Sequence, residues 1–423
     1  MPAESTLTSP ALRSLEKALQ ENHEEALNAF WQRIERDGTP LIEPIAGDEQ
    51  HRLVTFLWKE EVPLARLRLI GLLVDPLDSD LDRLGDTDLW FRSCVVERTI
   101  RTTYQFFPEF EGDVDLPTSD ASTRFASYKH DPLNPRTYVF ERDDEDPDGF
   151  ELIRSVLEMP DAPNQPWNVL KPGVPTGEVV MRRFASRILG NERRVWVYTP
   201  ADYDACRAQP YDVLVVFDGT GFVKRSTLPT VLDNLIASGT TAPLVAIMPC
   251  SINQSLRLKE LLLHQPFNEF LARELWPWAH EKLHLTHDPS RVVVGGASAG
   301  GLAAAYAAFE HPELFGNVLS LSGAFAYAPG MLGAGVEGEH EAMAQQIARS
   351  EMRNVRFFLA AGTLETNSLR NLQGGPNLLL ANRHLRTVLE AKGYPVVLAE
   401  FPGGHDMISW QGMFPQGLTA LLT

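Results

Sequence analysis

The spacing of apolar residues changes twice along the chain. In residues 1–40, Leu12, Leu15, Leu19, Leu27, Phe30, Trp31 and Ile34 recur at three- and four-residue steps, which predicts helix with one apolar face. Thr8 or Ser9 stands where a cap is needed, and Gly38-Thr39-Pro40 where the helix must stop. Beyond residue 50 the period shortens. Residues 52–58, 65–71, 89–96 and 102–107 read as short strands between turn residues, the pattern of a β-sandwich. Residues 111–175 are rich in Pro, Asp and Asn and read as a long, mostly irregular connector. From 176 the period alternates between strand and helix, as in βαβ units. Residues 178–184 and 193–200 predict an entering hairpin. Residues 211–219, 244–249, 318–322, 355–362 and 396–401 predict further strands, with helices at 266–284 and 376–391. These strands are apolar on both faces, as a parallel sheet covered on both sides requires. The expected architecture is α/β: a helix and a β-rich, sandwich-like domain over 1–150, a Pro-rich linker over 151–175, and a mostly parallel doubly wound sheet over 176–423.

One more stretch fixes the kind of sheet. Val292-Val293-Val294 is a buried strand, and Leu302-Ala303-Ala304-Ala305-Tyr306 reads as helix. Between them Gly296-Ala297-Ser298-Ala299-Gly300 fits G-x-S-x-G, the nucleophile elbow of α/β-hydrolases. The sharp turn lifts the Ser298 hydroxyl clear of the sheet. Glycine on either side lets strand and helix approach closely. The helix points its positive end to where an oxyanion would form.

A serine hydroxyl needs a base to take its proton, and in this fold the order is serine, acid, histidine. Four histidines follow Ser298: His311, His340, His384 and His405. Only His405, in Pro402-Gly403-Gly404-His405-Asp406, stands just past the last strand, where a loop can carry an imidazole over the elbow. Glu365, just past the penultimate strand, is the expected acid that orients it. Asp406 is a weaker acid candidate, because it adjoins His405 and must turn back. The oxyanion hole needs two backbone donors. Ala299 directly after the nucleophile is one, and Thr220 after Phe217-Asp218-Gly219 the other, with Asp218 bracing that loop.

Composition narrows the setting. The chain has 423 residues, 44% hydrophobic and 22% charged, as a soluble globular protein would. No apolar run is long enough to span a bilayer, and the first residues carry no signal-peptide pattern, so no membrane partner is expected. Three scattered cysteines suggest reduced thiols and a cytoplasmic setting. A net charge of −18 argues against nucleic acid, and an anionic substrate would have to be held by a local cationic cluster. Two motifs compete and fail. Asp144-Glu145-Asp146-Pro147-Asp148-Gly149 mimics the start of an EF-hand loop, but Ser155 stands at its twelfth position, so it reads as a solvated acidic turn. His280-Glu281-Lys282-Leu283-His284 matches H-E-x-x-H, yet no third ligand follows with known spacing, so no metal site is expected.

Taken together, the stretches 38–41, 88–90, 131–135, 157–160, 193–200, 217–219, the elbow and 403–406 resemble the enterobactin (enterochelin) esterase family over nearly the whole chain. The resemblance implies a β-rich domain followed by an α/β-hydrolase. It also implies hydrolysis of the serine trilactone of a ferric tri-catecholate siderophore inside the cell. Ser298 and His405 match the family's nucleophile and base, and Glu365 falls at the acid's position. Arg257, in the R-x-x-E-L stretch 257–261, matches an arginine that faces substrate, with Asp218 and Gly219 beside the pocket. Guanidinium suits a delocalised anionic ligand. No cofactor is implied, since iron arrives with the substrate. Residues 263–266 depart from the family pattern. Two other readings stand beside this one: an esterase or acyltransferase of the same fold acting on a different ester, and a siderophore binder without catalysis.

Overall fold

A computed structural model describes residues 9–75, 78–110, 127–143, 145, 151–329, 340–366 and 377–423. The chain divides into two units, Met1–Asp143 with Phe150–Pro163, and Asp144–Gly149 with Asn164–Thr423.

The first unit begins with two helices, not one. The Ser9 hydroxyl accepts the Leu12 amide at 3.2 Å and caps Pro10–Glu21. Thr8, the other cap candidate, lies outside the described residues. Asn22 then breaks the run, its extended backbone closing the first helix while its side chain caps the second, His23–Asp37. Gly38, at φ 82°, ends it. The predicted apolar face is buried: Leu12, Leu15, Phe30, Trp31 and Ile34 pack on Leu57, Leu89 and Phe91.

Eight strands follow: β1 (Leu41–Ile45), β2 (Asp48–Lys59), β3 (Leu64–Ile70), β4 (Asp82–Arg83), β5 (Leu89–Glu97), β6 (Arg101–Phe110), β7 (Thr137–Phe140) and β8 (Leu152–Glu158). They form two four-stranded sheets, ordered β1-β2-β5-β4 and β3-β6-β8-β7. Phe56 of β2 packs edge-on against Tyr104 of β6 at 4.7 Å, and Trp58 against Phe106 at 5.3 Å, so the sheets meet through aromatic side chains. Strand β8 falls inside the stretch expected as linker. It pairs with β6 and β7 and buries Leu152, Val156 and Leu157, and the Pro-rich character begins only after it. The Asp144–Gly149 segment lies outside the described residues except Glu145, which takes a hydrogen bond from Arg183 at 2.5 Å.

The second unit is one eight-stranded sheet: β9 (Glu178–Ser186), β10 (Asn191–Thr199), β11 (Asp212–Val216), β12 (Leu244–Pro249), β13 (Val292–Ala297), β14 (Asn317–Leu321), β15 (Arg356–Gly362) and β16 (Val396–Phe401). The order is β16-β15-β14-β13-β11-β12-β10-β9. Strands β11 to β16 pair in parallel, and the β9–β10 hairpin adds an antiparallel edge. Every residue of β11, β12, β13 and β14 is buried, which is why their sequences run apolar without alternation. The helix expected over 266–284 is Gln265–Phe270, a wider turn at Leu271–Leu275, then Trp276–Lys282. Because strands β11 to β16 run the same way, all their carboxyl ends share one edge of the sheet. That edge carries the candidate chemistry.

Candidate active site

The elbow forms as its sequence demands. Ser298 sits between β13 and the helix Ala299–Glu310 at φ 58°, ψ −120°, a backbone state that non-glycine residues rarely adopt. The surroundings enforce it. The Ser298 amide donates to the Leu321 carbonyl at 2.9 Å, and its carbonyl accepts the Ala324 amide at 2.9 Å. The loop after β14 thus brackets the nucleophile on both backbone groups. The two flanking glycines are not equivalent. A Cβ on Gly296 would come within 2.8 Å of the Gly300 backbone, so a side chain there is excluded. A Cβ on Gly300 would meet nothing closer than 3.5 Å, and that neighbour is the Asp218 carboxylate.

Glu365 and His405 come from the ends of β15 and β16. His405 Nδ1 lies 2.7 Å from Glu365 Oε1. The other carboxylate oxygen accepts the Gly362 amide at 3.0 Å. The Glu365 side chain is 1% exposed and that of His405 15%. The two loops are also joined by backbone: the Thr363 amide donates to the Phe401 carbonyl at 2.9 Å and the Leu364 amide to Gly403 at 3.1 Å. An acid on one strand end and a base on the next are therefore held as a unit. Of the other three imidazoles, His384 faces Glu341 at 2.6 Å and His311 faces Glu313 at 3.3 Å, while His340 Nδ1 is buried without a hydrogen-bond partner. Asp406 is no alternative acid. Its carboxylate accepts the Ser409 amide at 2.9 Å and caps the helix Met407–Leu422.

Asp218 and Arg257 find each other. Arg257 Nε donates to Oδ1 at 2.8 Å and Nη2 to Oδ2 at 2.7 Å, with both side chains about one-fifth exposed (21% and 20%). Burial works against the guanidinium charge, but the carboxylate beside it more than compensates and raises the Arg257 pKa. This fork-to-fork pair spends two of the donors that the sequence assigned to substrate and leaves Nη1. One turn along the same helix, Glu260 makes a second pair with Arg193, at 3.0 and 2.7 Å, with side chains 3% and 0% exposed. The R-x-x-E spacing puts both charges on one helix face, a signal that was readable but whose partners were not.

Gly219 has no room for a side chain, since a Cβ would sit 2.2 Å from the Met248 carbonyl oxygen. Thr220 is buried. Its hydroxyl accepts the Trp196 indole N–H at 3.1 Å and lies 3.3 Å from the Cys250 thiol. Burial pushes that thiol's pKa up, while the Thr220 hydroxyl beside it pulls the other way. The amide expected to serve as an oxyanion donor lies in the first turn of the helix Gly219–Lys224, where it has no intrahelical acceptor. Ala299 opens its helix, so its amide has no intrahelical acceptor.

The H-E-x-x-H stretch does not present its two histidines on one helix face. The helix ends at Lys282, before His284, and both ring nitrogens of His280 face backbone carbonyls, Trp276 at 3.1 Å and Thr286 at 3.2 Å. Among the described residues no group of three or more His, Cys, Asp or Glu gathers as metal ligands do. Nor, among them, is any helix long and apolar enough to cross a membrane.

A hydrogen-bonded carboxylate–imidazole pair and an elbow serine on the carboxyl edge of one parallel sheet define an α/β-hydrolase of the serine type. Residues 186–421, more than half of the chain, match the family described as putative esterase, and the chain belongs to that family. Residues 53–168 match the family described as enterochelin esterase, N-terminal. An iron(III) enterobactin esterase of Dickeya dadantii is 27% identical, the match covering 93% of each chain. An iron(III) salmochelin esterase of Escherichia coli is 27% identical over 97% of each. Among solved structures, the ferric enterobactin esterase of Salmonella typhimurium aligns with TM-score 0.73 and 26% identity, covering 93% of this chain and 98% of that one. The enterobactin esterase of Shigella flexneri, crystallised with 2,3-dihydroxy-N-benzoyl-glycine, aligns with TM-score 0.70 at 25% identity, over 93% and 98%.

Proposed function

We propose that this protein is a serine esterase that opens the trilactone ring of a ferric tri-catecholate siderophore and so frees the iron. The observation that carries the reading is the 2.7 Å contact between His405 and Glu365 on the sheet edge that also bears the Ser298 elbow. The substrate class is supported by the names of relatives that match along nearly the whole chain, both β-rich and catalytic halves included.

In this reading Ser298 Oγ attacks an ester carbonyl of the ring while His405 Nε2 takes its proton. Nδ1–H of His405 donates to Glu365, which fixes the tautomer and stabilises the imidazolium that forms. The Ala299 amide holds the oxyanion at the start of its helix. The Thr220 amide, in the first turn of the helix Gly219–Lys224, is the assigned second donor. His405 then returns the proton to the leaving serine alkoxide, the acyl-enzyme forms, and a water activated by the same imidazole clears it. Arg257, held by Asp218, presents Nη1 and a retained positive charge to an anionic ligand. Such a local cation is what a chain of net charge −18 needs to receive that ligand. Iron enters and leaves as cargo, and no cofactor takes part. The three unpaired cysteines support a cytoplasmic setting.

The test is Ser298→Ala assayed on ferric enterobactin with the products resolved by mass spectrometry. Loss of at least about 10³-fold in kcat is expected. Ring opening near the wild-type rate refutes the assignment.

A further inference from the structure

The base follows β16 and the nucleophile follows β13, so two strands of the sheet lie between them and something must fix their separation. Glu365 orients His405 from one side but belongs to the same stitched pair of loops, so it does not tie the base to Ser298. Two residues without any motif do. Trp410 stands five positions after His405, on the helix that Asp406 caps. Its ring meets the His405 ring edge to face, with centroids 4.9 Å apart and planes at 84°. Its indole N–H donates to Ser322 Oγ at 2.8 Å. Ser322 directly follows Leu321, whose carbonyl accepts the Ser298 amide at 2.9 Å, and stands two residues before Ala324, whose amide donates to the Ser298 carbonyl. One path of contacts thus runs from base through indole and hydroxyl to the backbone of the nucleophile.

Ser322 itself shows the constraint. It is fully buried, at φ 47°, where glycine would sit without strain. Its amide is fixed by the Ala360 carbonyl at 2.6 Å, so the backbone is held independently of the side chain. The hydroxyl is what a glycine would lack, and it reaches the one polar atom that the indole carries. A phenylalanine would keep a ring beside His405, but with no donor to Ser322 nothing would set its plane.

We infer that Trp410 and Ser322 are positioning residues, a strut that sets the plane and distance of the His405 imidazole relative to Ser298. This inference rests on the proposed roles of His405 and Ser298. Ser322→Ala removes one oxygen, Trp410→Phe keeps a ring and removes the donor, and the double variant removes both. Each single change is expected to lower kcat about tenfold on ferric enterobactin, with KM within about twofold, because substrate contacts are untouched. Loss of this hydrogen bond is expected to lower the melting temperature by a few degrees, so kcat is read per folded molecule. Since one bond is lost in all three, the double variant should be no slower than the slower single. Ser298→Ala, run alongside, separates the two questions. If Ser298→Ala is active, the catalytic reading fails and the strut with it. If Ser298→Ala is dead while Ser322→Ala turns over at the wild-type rate, the strut alone is overturned. A double variant whose loss is the product of the two singles overturns it equally, as does a fall in melting temperature with kcat per folded molecule unchanged. Ser322→Ala decides the matter if Trp410→Phe does not fold.

Discussion

Two carboxylates, one in each unit, are almost fully removed from water, and their surroundings could hardly differ more. Asp131 in the first unit is 0% exposed. Its Oδ2 accepts the Tyr104 hydroxyl at 2.7 Å and the Thr39 hydroxyl at 2.8 Å, and its Oδ1 the Leu133 amide at 3.0 Å. Asn134 completes the group through the Tyr104 oxygen at 3.0 Å. Every one of these donors is a neutral, fixed dipole. Glu365 in the second unit is 2% exposed and accepts one amide, but its other oxygen faces an imidazole. The lesson is about partners more than burial. A carboxylate surrounded by neutral donors is a clasp: it fastens the turn at Thr39 to the turn at Asp131 and has nowhere to send a proton. A carboxylate facing a titratable ring with an open second nitrogen can answer a change of charge there. Both stand at positions that the family resemblance picks out, and only the second faces a titratable ring.

The comparison breaks first at Glu365. Glu365→Gln keeps shape and one acceptor and removes the charge, so kcat should fall by about 10³-fold with the circular dichroism spectrum unchanged. Steady-state kinetics decide it, and a loss of less than about tenfold would make Glu365 another clasp. Next in size is Tyr104→Phe. The Asp131 carboxylate loses a donor and Asn134 an acceptor in a dry site, so unfolding should cost about 1–3 kcal/mol less. Urea titration of the intact chain, read on the transition of the first unit, measures this. A change within error would mean that the network is slack. The smallest effect is one of pH. Burial holds the Asp131 carboxyl above its ordinary 3.8, with the Tyr104 and Thr39 hydroxyls only partly opposing. The folded state then holds that proton more tightly than the unfolded chain, so the contribution is present below 3.8 and declines as pH rises through the raised value. In Asp131→Asn this decline disappears. The melting-temperature gap between wild type and variant should therefore narrow from about pH 4 to about pH 7, and a widening gap would reverse the sign assigned to burial.

Much of this was legible because it is local. The elbow, the strand before it and the small-residue helix after it are contiguous, and a turn this tight leaves few choices of residue. His405 and Glu365 were legible by position, each a few residues past a strand whose apolar run is plain. What escaped was pairwise. Arg257 and Asp218 are each conspicuous, yet that they grip one another depends on a fold that brings positions 39 residues apart together. Strand β8 was hidden by its neighbourhood: Leu152–Glu158 lies between acidic and Pro-rich segments whose composition outweighed its 7 residues of strand pattern. The single helix expected near the N-terminus became two because Asn22 can both end and begin one, which hydrophobic spacing does not register. Trp410 and Ser322 left no signal at all, since an indole in a helix and a serine after a strand are ordinary until their contact is seen.

The parallel run of β11 to β16 has a use beyond chemistry. Ser298, Glu365 and His405 all sit at one rim, so the opposite rim can be altered without touching them. The turn before β16 lies there, a full strand length from His405. Gly393 sits in it at φ 85°, and a Cβ added to that residue would find the Met352 sulfur as its nearest neighbour, at 3.7 Å. New chain ends, a reporter peptide or a surface tether could be introduced at this turn with the catalytic rim left as it is, which makes it the natural handle for anyone wishing to immobilise or re-splice the molecule.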